Sequence, residues 1–141
     1  WLQVLSEYKN ITLIIGIDIL DVEDIEGITI LKKDILDCNN LEGYMKNKKL
    51  NLVLSDIAPN ITGIEDVDQA HFFEIYESIS SICSDFLNKK GVLVMKFFNG
   101  SSYDFVKKSL NVLFDDVNTY KPDSSRSRSN EVFFICIGYK D

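Results

Sequence analysis

The sequence has few of the residues that build metal sites. It contains one histidine, His71, and three cysteines among its 141 residues. A single histidine offers no zinc constellation, and the cysteines, which are widely separated and odd in number, fit a reducing compartment. Cys83 and Cys136 lie inside apolar patterns, which favours buried free thiols over metal ligands. We therefore expect no bound metal.

Long apolar runs and targeting segments are also missing from the sequence. No apolar run approaches the ~20 residues that a helix needs to cross a membrane, so we expect no membrane partner. The chain opens on Trp1 without a basic or amphipathic leader. Because it begins with tryptophan and not methionine, we expect its natural beginning to lie upstream. We expect the protein in the cytoplasm or in an organellar matrix (mitochondrion or plastid).

Positive charge is scarce, and this argues mildly against nucleic acid as a partner. The chain carries 15 lysines and arginines against 22 acids, whereas phosphate binding normally needs a basic face. The exception is "KPDSSRSR" at residues 121–128, where Lys121, Arg126 and Arg128 stand against one acid. These three cations are candidates for phosphate contacts. The alternative is an exposed loop whose charges are only solvated.

What the sequence does contain is an alternation of apolar strands and amphipathic helices. β-Branched or apolar runs predict strands, and apolar recurrences at steps of three and four predict helices. The predicted strands cover residues 12–20, 28–34, 51–57, 92–98, 117–121 and 131–139. The predicted helices cover residues 39–48, a segment from 72 to a basic stop signal at "NKKG" (88–91), and residues 103–113.

The order of these elements predicts an α/β domain. Strands separated by helices pair in parallel through right-handed crossovers. Only the short loop "PDSSRSRSN" separates the last two strands, so these two should pair antiparallel. No linker, internal repeat or low-complexity tract interrupts residues 1–141, which therefore belong to one domain.

Acids follow three of the predicted strands, namely Asp18, Asp34 and Asp56. In an open α/β sheet, ligands sit beyond the carboxyl ends of the strands. Asp56, in "VLSDIAPN", would therefore face a bound molecule. The alternative is an aspartate that begins an Asx turn before Pro59.

A second polar feature is Lys96, which lies inside the apolar strand "VLVMKFF". A lysine among such neighbours is costly unless it is paired, because desolvation penalises the ammonium. Glu131 opens the last strand. With the usual topology, Asp56, Lys96 and Glu131 converge on the carboxyl edge of neighbouring strands. The alternative is an edge lysine that extends to water, with two solvated acids.

Three motifs, "SDIAPN", "VMKFFNG" and "KPDSSRSRSNEV", resemble those of FtsJ-type (RrmJ-type) ribosomal RNA 2′-O-ribose methyltransferases. The opening "WLQVL" resembles the tail of that family's glycine-rich cofactor loop. The motifs come in the family's order, and the resemblance extends from Trp1 to Lys140. It implies a Rossmann-like, S-adenosylmethionine-dependent methyltransferase sheet, mostly parallel with an antiparallel last strand.

The resemblance also implies four cofactor-binding residues. Asp18 corresponds to the acid that holds the ribose hydroxyls of S-adenosylmethionine, and Asp34 to the acid near its adenine. Trp1 corresponds to the tryptophan that ends the glycine loop. Asp56 corresponds to an acid near the methionine part of the cofactor and the reaction centre.

The implied catalytic residues are Asp56, Lys96 and Glu131, which match three members of the family's Lys-Asp-Lys-Glu tetrad. The tetrad's first lysine has no counterpart in this sequence. In the implied reaction a ribose 2′-hydroxyl, a poor nucleophile, must be aligned with the methyl group and must lose its proton. A lysine takes a proton only if its pKa is lowered. Two roles therefore stay open for Lys96, general base or positioning of the hydroxyl.

The motif variants favour ribosomal RNA as the partner. Relatives that modify tRNA tend to carry "CDGAPD" and "KPRSSR" where this chain reads "SDIAPN" and "KPDSSR". By analogy, the expected substrate is a uridine of large-subunit ribosomal RNA within the large ribosomal subunit, methylated by a monomer. The alternatives are a tRNA 2′-O-methyltransferase, a catalytically inactive RNA-binding module and a small-molecule methyltransferase.

One expectation concerns the sheet itself. In the family, the strand before the glycine loop is central and lies between the strands that end at Asp18 and Asp56. Neighbouring strands lie ~4.8 Å apart, so a missing central strand would leave two unpaired edges. We expect an upstream segment to supply that strand, the glycines and the first lysine, and we expect no direct pairing between residues 12–20 and 51–57.

Overall fold

The structure is a computed structural model that describes residues 1–37, 41–45, 47–122 and 130–140. Within it the chain forms two compact units, Trp1–Asn47 and Lys48–Asp141. None of the described helices is both long enough and apolar enough to cross a membrane.

The first unit is built on a parallel pair of short strands. Its elements are α1 (Leu2–Ser6), β1 (Ile15–Asp18), β2 (Thr29–Lys32), a 3₁₀ turn (Ile35–Asp37) and α2 (Glu42–Met45). Asp18 lies opposite Lys32 in the parallel register, so both strands end at the same edge. A Cβ on Gly16 would overlap the side chain of Leu2, and glycine at this position therefore lets α1 approach β1 closely.

The second unit is a four-stranded sheet covered by two helices. Its elements are β3 (Leu50–Ser55), α3 (Glu65–Phe86), β4 (Leu87–Phe98), α4 (Tyr103–Leu113), β5 (Phe114–Tyr120) and β6 (Glu131–Tyr139). The strand order is β3-β4-β6-β5. β3 and β4 are parallel, whereas β6 runs antiparallel to both β4 and β5. Three strands thus share one direction and the last opposes them, which confirms the predicted α/β class and its antiparallel final strand.

The core lies between one face of this sheet and helices α3 and α4. Alternate residues of β4 and β6 point into it: Leu93, Met95, Phe97, Val132, Phe134 and Cys136. The helices contribute residues at steps of three and four: Phe72, Ile75, Tyr76, Ile79, Cys83, Val106 and Leu110. Apolar residues thus recur every second residue on the strands and about every 3.6 residues on the helices, and each repeat favours the element that buries it on one face.

The boundary between α3 and β4 differs from the predicted one. α3 ends at Phe86 and β4 begins at Leu87, so "NKKG" (88–91) lies in the strand and is not a helix end. The pairing register with β3 shifts across this segment, which makes it a bulge, and Lys90 has a φ of 65°. Gly91 is needed because a Cβ there would overlap a backbone carbonyl oxygen. The expected stop signal is therefore a strand bulge.

Other elements differ from prediction mainly in length. β1 and β2 are shorter than the predicted residues 12–20 and 28–34, and α3 starts earlier than residue 72. Helix α2 has four described residues where 39–48 were predicted. Among the described residues, β1 and β3 belong to separate sheets and do not pair. The central strand from an upstream segment stays a prediction.

The two described cysteines should be inert towards alkylation in the folded protein. Cys83 and Cys136 are free thiols that are 1% and 0% exposed, as the apolar patterns predict. Burial raises the pKa of each thiol to about 12, and only the thiolate is a good nucleophile. Iodoacetamide at pH 8 should leave both peptides unmodified, as read by mass spectrometry, and should modify both after unfolding in urea. Rapid labelling of either cysteine in the folded protein would contradict the buried positions.

Candidate functional site

Asp56 and Lys96 form an ion pair at the carboxyl edge of β3 and β4. Asp56 directly follows β3, and Lys96 lies beside it because Ser55 is opposite Met95 in the parallel register. Lys96 Nζ lies 2.7 Å from Asp56 Oδ1. The alternation of β4 buries Met95 and Phe97 and leaves Lys96 on the less buried face. The predicted meeting of this acid and this lysine is confirmed.

The two partners of this ion pair differ in exposure. The side chain of Lys96 is 12% exposed and that of Asp56 is 52% exposed. A mostly buried ammonium is unfavourable without a partner, whereas a half-exposed carboxylate is also solvated by water. Lys96 therefore depends on Asp56 more than Asp56 depends on Lys96, and the exposed carboxylate leaves the pair accessible to a ligand.

Glu131 lies on the same face of the sheet as Lys96. In the antiparallel pair of β4 and β6, Lys96 is opposite Phe133 and Phe98 is opposite Glu131. Directly opposed residues and second neighbours along a strand share a face, and diagonal neighbours lie about 7–8 Å apart. The strand register therefore brings Glu131 close to the ion pair of Asp56 and Lys96.

Asp18 and Asp34 lie at the carboxyl edge of the β1–β2 pair, in the first unit. Asp18 ends β1 and Asp34 follows β2, and both side chains are exposed. Asp18 Oδ1 accepts a hydrogen bond from the backbone N–H of Leu20 at 2.9 Å. Asp34 Oδ1 accepts one from the N–H of Leu36 at 3.0 Å. Each aspartate thus shapes the turn after its strand.

The remaining predicted site residues are placed as follows. Trp1 is 50% exposed and directly precedes α1. Lys121 is exposed and directly follows β5. Arg126 and Arg128 lie outside the described residues, so their predicted contacts with phosphate stay predictions.

Sequence reasoning missed two buried polar residues at the start of α3, Asp68 and Gln69. They are 8% and 7% exposed, and both hydrogen-bond to loops at the same end of the sheet. Asp68 is one of three acids in the first turn of α3, and nothing in the sequence separates it from the other two, which are typical of a helix start. The sequence feature that could have indicated Asp68 is the preceding Thr62–Gly63 turn, whose donors need an acceptor nearby.

In the described parts of the chain, no group of three or more histidine, cysteine, aspartate and glutamate side chains could hold a metal ion.

A family model decides the relationship of this chain to known proteins. The model of the FtsJ-like methyltransferases matches residues 1–139. The chain belongs to this family. The match confirms the resemblance carried by the three sequence motifs and by the opening "WLQVL".

Individual members and solved structures agree with this family membership. Ribosomal RNA large subunit methyltransferase E of Variovorax paradoxus (strain S110) is 38% identical over 130 residues, which are 90% of this chain and 59% of that protein. The chain thus spans about three-fifths of that relative's length. A Plasmodium falciparum protein, provisionally named a ribosomal RNA methyltransferase, superposes with a TM-score of 0.82 at 26% identity, covering 98% of this chain and 77% of its own.

A more distant structure agrees in fold alone. A Streptococcus mutans protein, provisionally named a methyltransferase and solved with SAH (S-adenosylhomocysteine), superposes with a TM-score of 0.55 at 13% identity. It covers 89% of this chain and 71% of its own. The α/β methyltransferase fold of this FtsJ-like chain is therefore shown by sequence and structure together.

Proposed function

We propose that the protein transfers a methyl group from S-adenosylmethionine to a ribose 2′-hydroxyl of RNA, and that its substrate is a uridine of large-subunit ribosomal RNA. One observation carries this proposal. A chain of the FtsJ-like family brings Asp56 and Lys96 within 2.7 Å at the carboxyl edge of its sheet, where ligands of α/β sheets bind. The name of the Variovorax relative supports ribosomal RNA as the substrate.

The carboxylates of the first unit fit the polar groups of S-adenosylmethionine. An ionised carboxylate offers about four lone-pair sites, and the recorded backbone N–H bond to Asp18 and to Asp34 occupies one oxygen of each. Acceptor capacity therefore remains for a ribose diol at Asp18 and for the adenine amine near Asp34. When bound, the cofactor supplies an electrophilic methyl group on a sulfonium.

The second unit supplies groups that suit a ribose hydroxyl. The ammonium of Lys96 donates to Asp56 and can donate equally to a 2′-oxygen. An ammonium cannot accept a proton, so in this ion pair Lys96 holds and orients the hydroxyl. A lysine acts as the base only where burial or a neighbouring cation lowers its pKa. With Lys96 in the positioning role, the proton of the hydroxyl leaves to a carboxylate of the site or to water during or after the attack. Glu131, on the same face, offers a carboxylate that can accept a hydrogen bond from the hydroxyl.

The function can be tested with tritium-labelled S-adenosylmethionine and the full-length protein. We expect label in large-subunit ribosomal RNA or in large ribosomal particles, and little in small-subunit RNA or tRNA. A matched RNA fragment with a 2′-deoxyribose at the acceptor nucleotide should take no label, because the reacting hydroxyl is absent. Label in tRNA alone would contradict the ribosomal substrate. RNA binding without any label would indicate an inactive RNA-binding module.

A further inference from the structure

Two adjacent polar side chains are buried at the start of α3, Asp68 and Gln69. Burying a polar side chain is unfavourable unless hydrogen bonds replace those to water. The partners of these two side chains therefore indicate what they stabilise. Both sets of partners lie in loops that leave the carboxyl edge of the sheet.

Asp68 holds the loop between β3 and α3, residues 56–64. Its Oδ1 accepts hydrogen bonds from the backbone N–H of Thr62 at 2.8 Å and from the Thr62 hydroxyl at 2.7 Å. Its Oδ2 accepts the N–H of Gly63 at 3.1 Å. The backbone and side-chain bonds from Thr62 lower the pKa of the Asp68 carboxyl below its ordinary value. Gly63 has a φ of 84°, which a side chain would strain.

Gln69 holds the loop between β4 and α4, residues 99–102. Its Oε1 accepts a hydrogen bond from the backbone N–H of Ser102 at 3.2 Å. Gly100 lies directly against the Gln69 amide, and a Cβ at this position would overlap it. The same loop is tied on its other side, where the N–H of Asn99 donates to the carbonyl of Asn130 at 2.8 Å.

These two loops border the ion pair of Asp56 and Lys96. The first loop begins at Asp56, and the second begins three residues after Lys96. One helical turn beyond Asp68, Phe72 stacks on Phe98 with ring centroids 4.4 Å apart. The start of α3 is therefore packed against the end of β4, beside the reacting edge.

We propose that Asp68 and Gln69 are positioning residues for methyl transfer, because together they fix the two loops that flank the acceptor ribose. The proposal rests on the proposed function. The hydrogen bonds of both side chains reach the two loops, so both residues act through the loops. Losing either one should reduce the fraction of bound RNA that is aligned, and hence the rate at saturation.

The decisive variants of the full-length protein are Asp68→Ala, Asp68→Asn and Gln69→Ala. We expect Asp68→Ala to lower the single-turnover rate at saturating RNA and cofactor at least tenfold, with the Kd for S-adenosylmethionine within twofold of the parent. The rate of Asp68→Asn should lie between those of the parent and Asp68→Ala, because asparagine keeps an oxygen for Thr62 and loses the acceptor for Gly63. Hydrogen exchange should accelerate at both Thr62 and Gly63 in Asp68→Ala, and mainly at Gly63 in Asp68→Asn.

Gly100 offers an independent test of the Gln69 contact. Gly100→Ala should slow methyl transfer because the new methyl group displaces the Gln69 amide. In the double variant Gly100→Ala with Gln69→Ala, the overlap is gone but so is the bond to Ser102, so the rate should match that of Gln69→Ala alone. A double variant with the parent's rate would overturn the role given to Gln69.

Two matched controls separate positioning from general stability. Asp66→Ala removes an exposed acid from the same turn of α3 and should leave the rate unchanged. Ile79→Val trims a residue that is 2% exposed on the same helix, and it should lower the melting temperature without changing the saturating rate. The proposal would be overturned if Asp68→Ala kept the parent's rate. It would also be overturned if Asp68→Ala and Ile79→Val, compared at the same melting temperature, lost the same fraction of the saturating rate. An inactive parent protein would instead contradict the proposed function, and the exchange rates at Thr62 and Gly63 would still test the loop contacts.

Discussion

Replacing Lys96 with alanine should lower the single-turnover rate of methyl transfer by about 10²–10³-fold, the usual effect of removing one positioned hydrogen-bond donor at a reacting oxygen. Lys96 is paired with Asp56 at 2.7 Å and lies next to Glu131 on one face, so its loss removes the cation that meets the hydroxyl. The Kd for S-adenosylmethionine should change little, because Asp18 and Asp34 are expected to hold the adenosine. Rapid quench with labelled cofactor measures the rate, and calorimetry measures the Kd.

The chain provides a matched control for this variant. Lys90 lies in the same strand and pairs with Asp115 at 2.6 Å, but its side chain is 67% exposed. Lys90→Ala should leave the rate within about twofold of the parent, and it should cost at most about 1 kcal/mol in free energy of unfolding, as exposed pairs do. If Lys96→Ala retained most of the parent's single-turnover rate, Lys96 would have no place in the mechanism.

Replacing Asp18 with alanine should instead weaken cofactor binding by about two orders of magnitude. Loss of a carboxylate's hydrogen bonds to a ribose diol costs ~2–3 kcal/mol. The single-turnover rate at saturating cofactor should change much less than the Kd. Titration calorimetry with S-adenosylmethionine measures the affinity directly, without any RNA.

Because Asp18 also shapes a turn, a second variant is needed to separate its two roles. Asp18 Oδ1 accepts the N–H of Leu20, so alanine removes a turn contact together with the carboxylate. Asp18→Asn keeps an oxygen for Leu20 and loses the charge, and it should still weaken binding strongly. Asp21→Ala is the control, because Asp21 is 86% exposed and forms a surface ion pair with Lys32. Parental affinity in Asp18→Asn would assign Asp18 to the turn alone.

Much of the fold could be predicted where the apolar period is strong. The predicted strand at residues 131–139 and the helix at 103–113 coincide with β6 (Glu131–Tyr139) and α4 (Tyr103–Leu113). The bulge at 88–91 could not be predicted, because basic residues before a glycine are typical of helix ends. Its conformation depends on pairing with β3, which is remote in sequence.

The candidate site was predicted in part. The acid at the end of β3 and the lysine in β4 were identified because charged side chains are unusual in apolar strand patterns. The structure brings the two together. Asp68 and Gln69 were not identified, because an acid and an amide in the first turns of a helix are ordinary. Their burial depends on loops that fold back onto the helix.

The sequence by itself determined which side chains share a face, because the periods of strand and helix follow from local backbone geometry. The same alternation accounts for the position of Lys96 on the strand face opposite to Met95 and Phe97. Only the tertiary structure decided that Asp56 reaches Lys96, and that Glu131 lies diagonal to it. These relations depend on the register between strands far apart in sequence, and register is set by packing of the whole sheet and not by any local pattern.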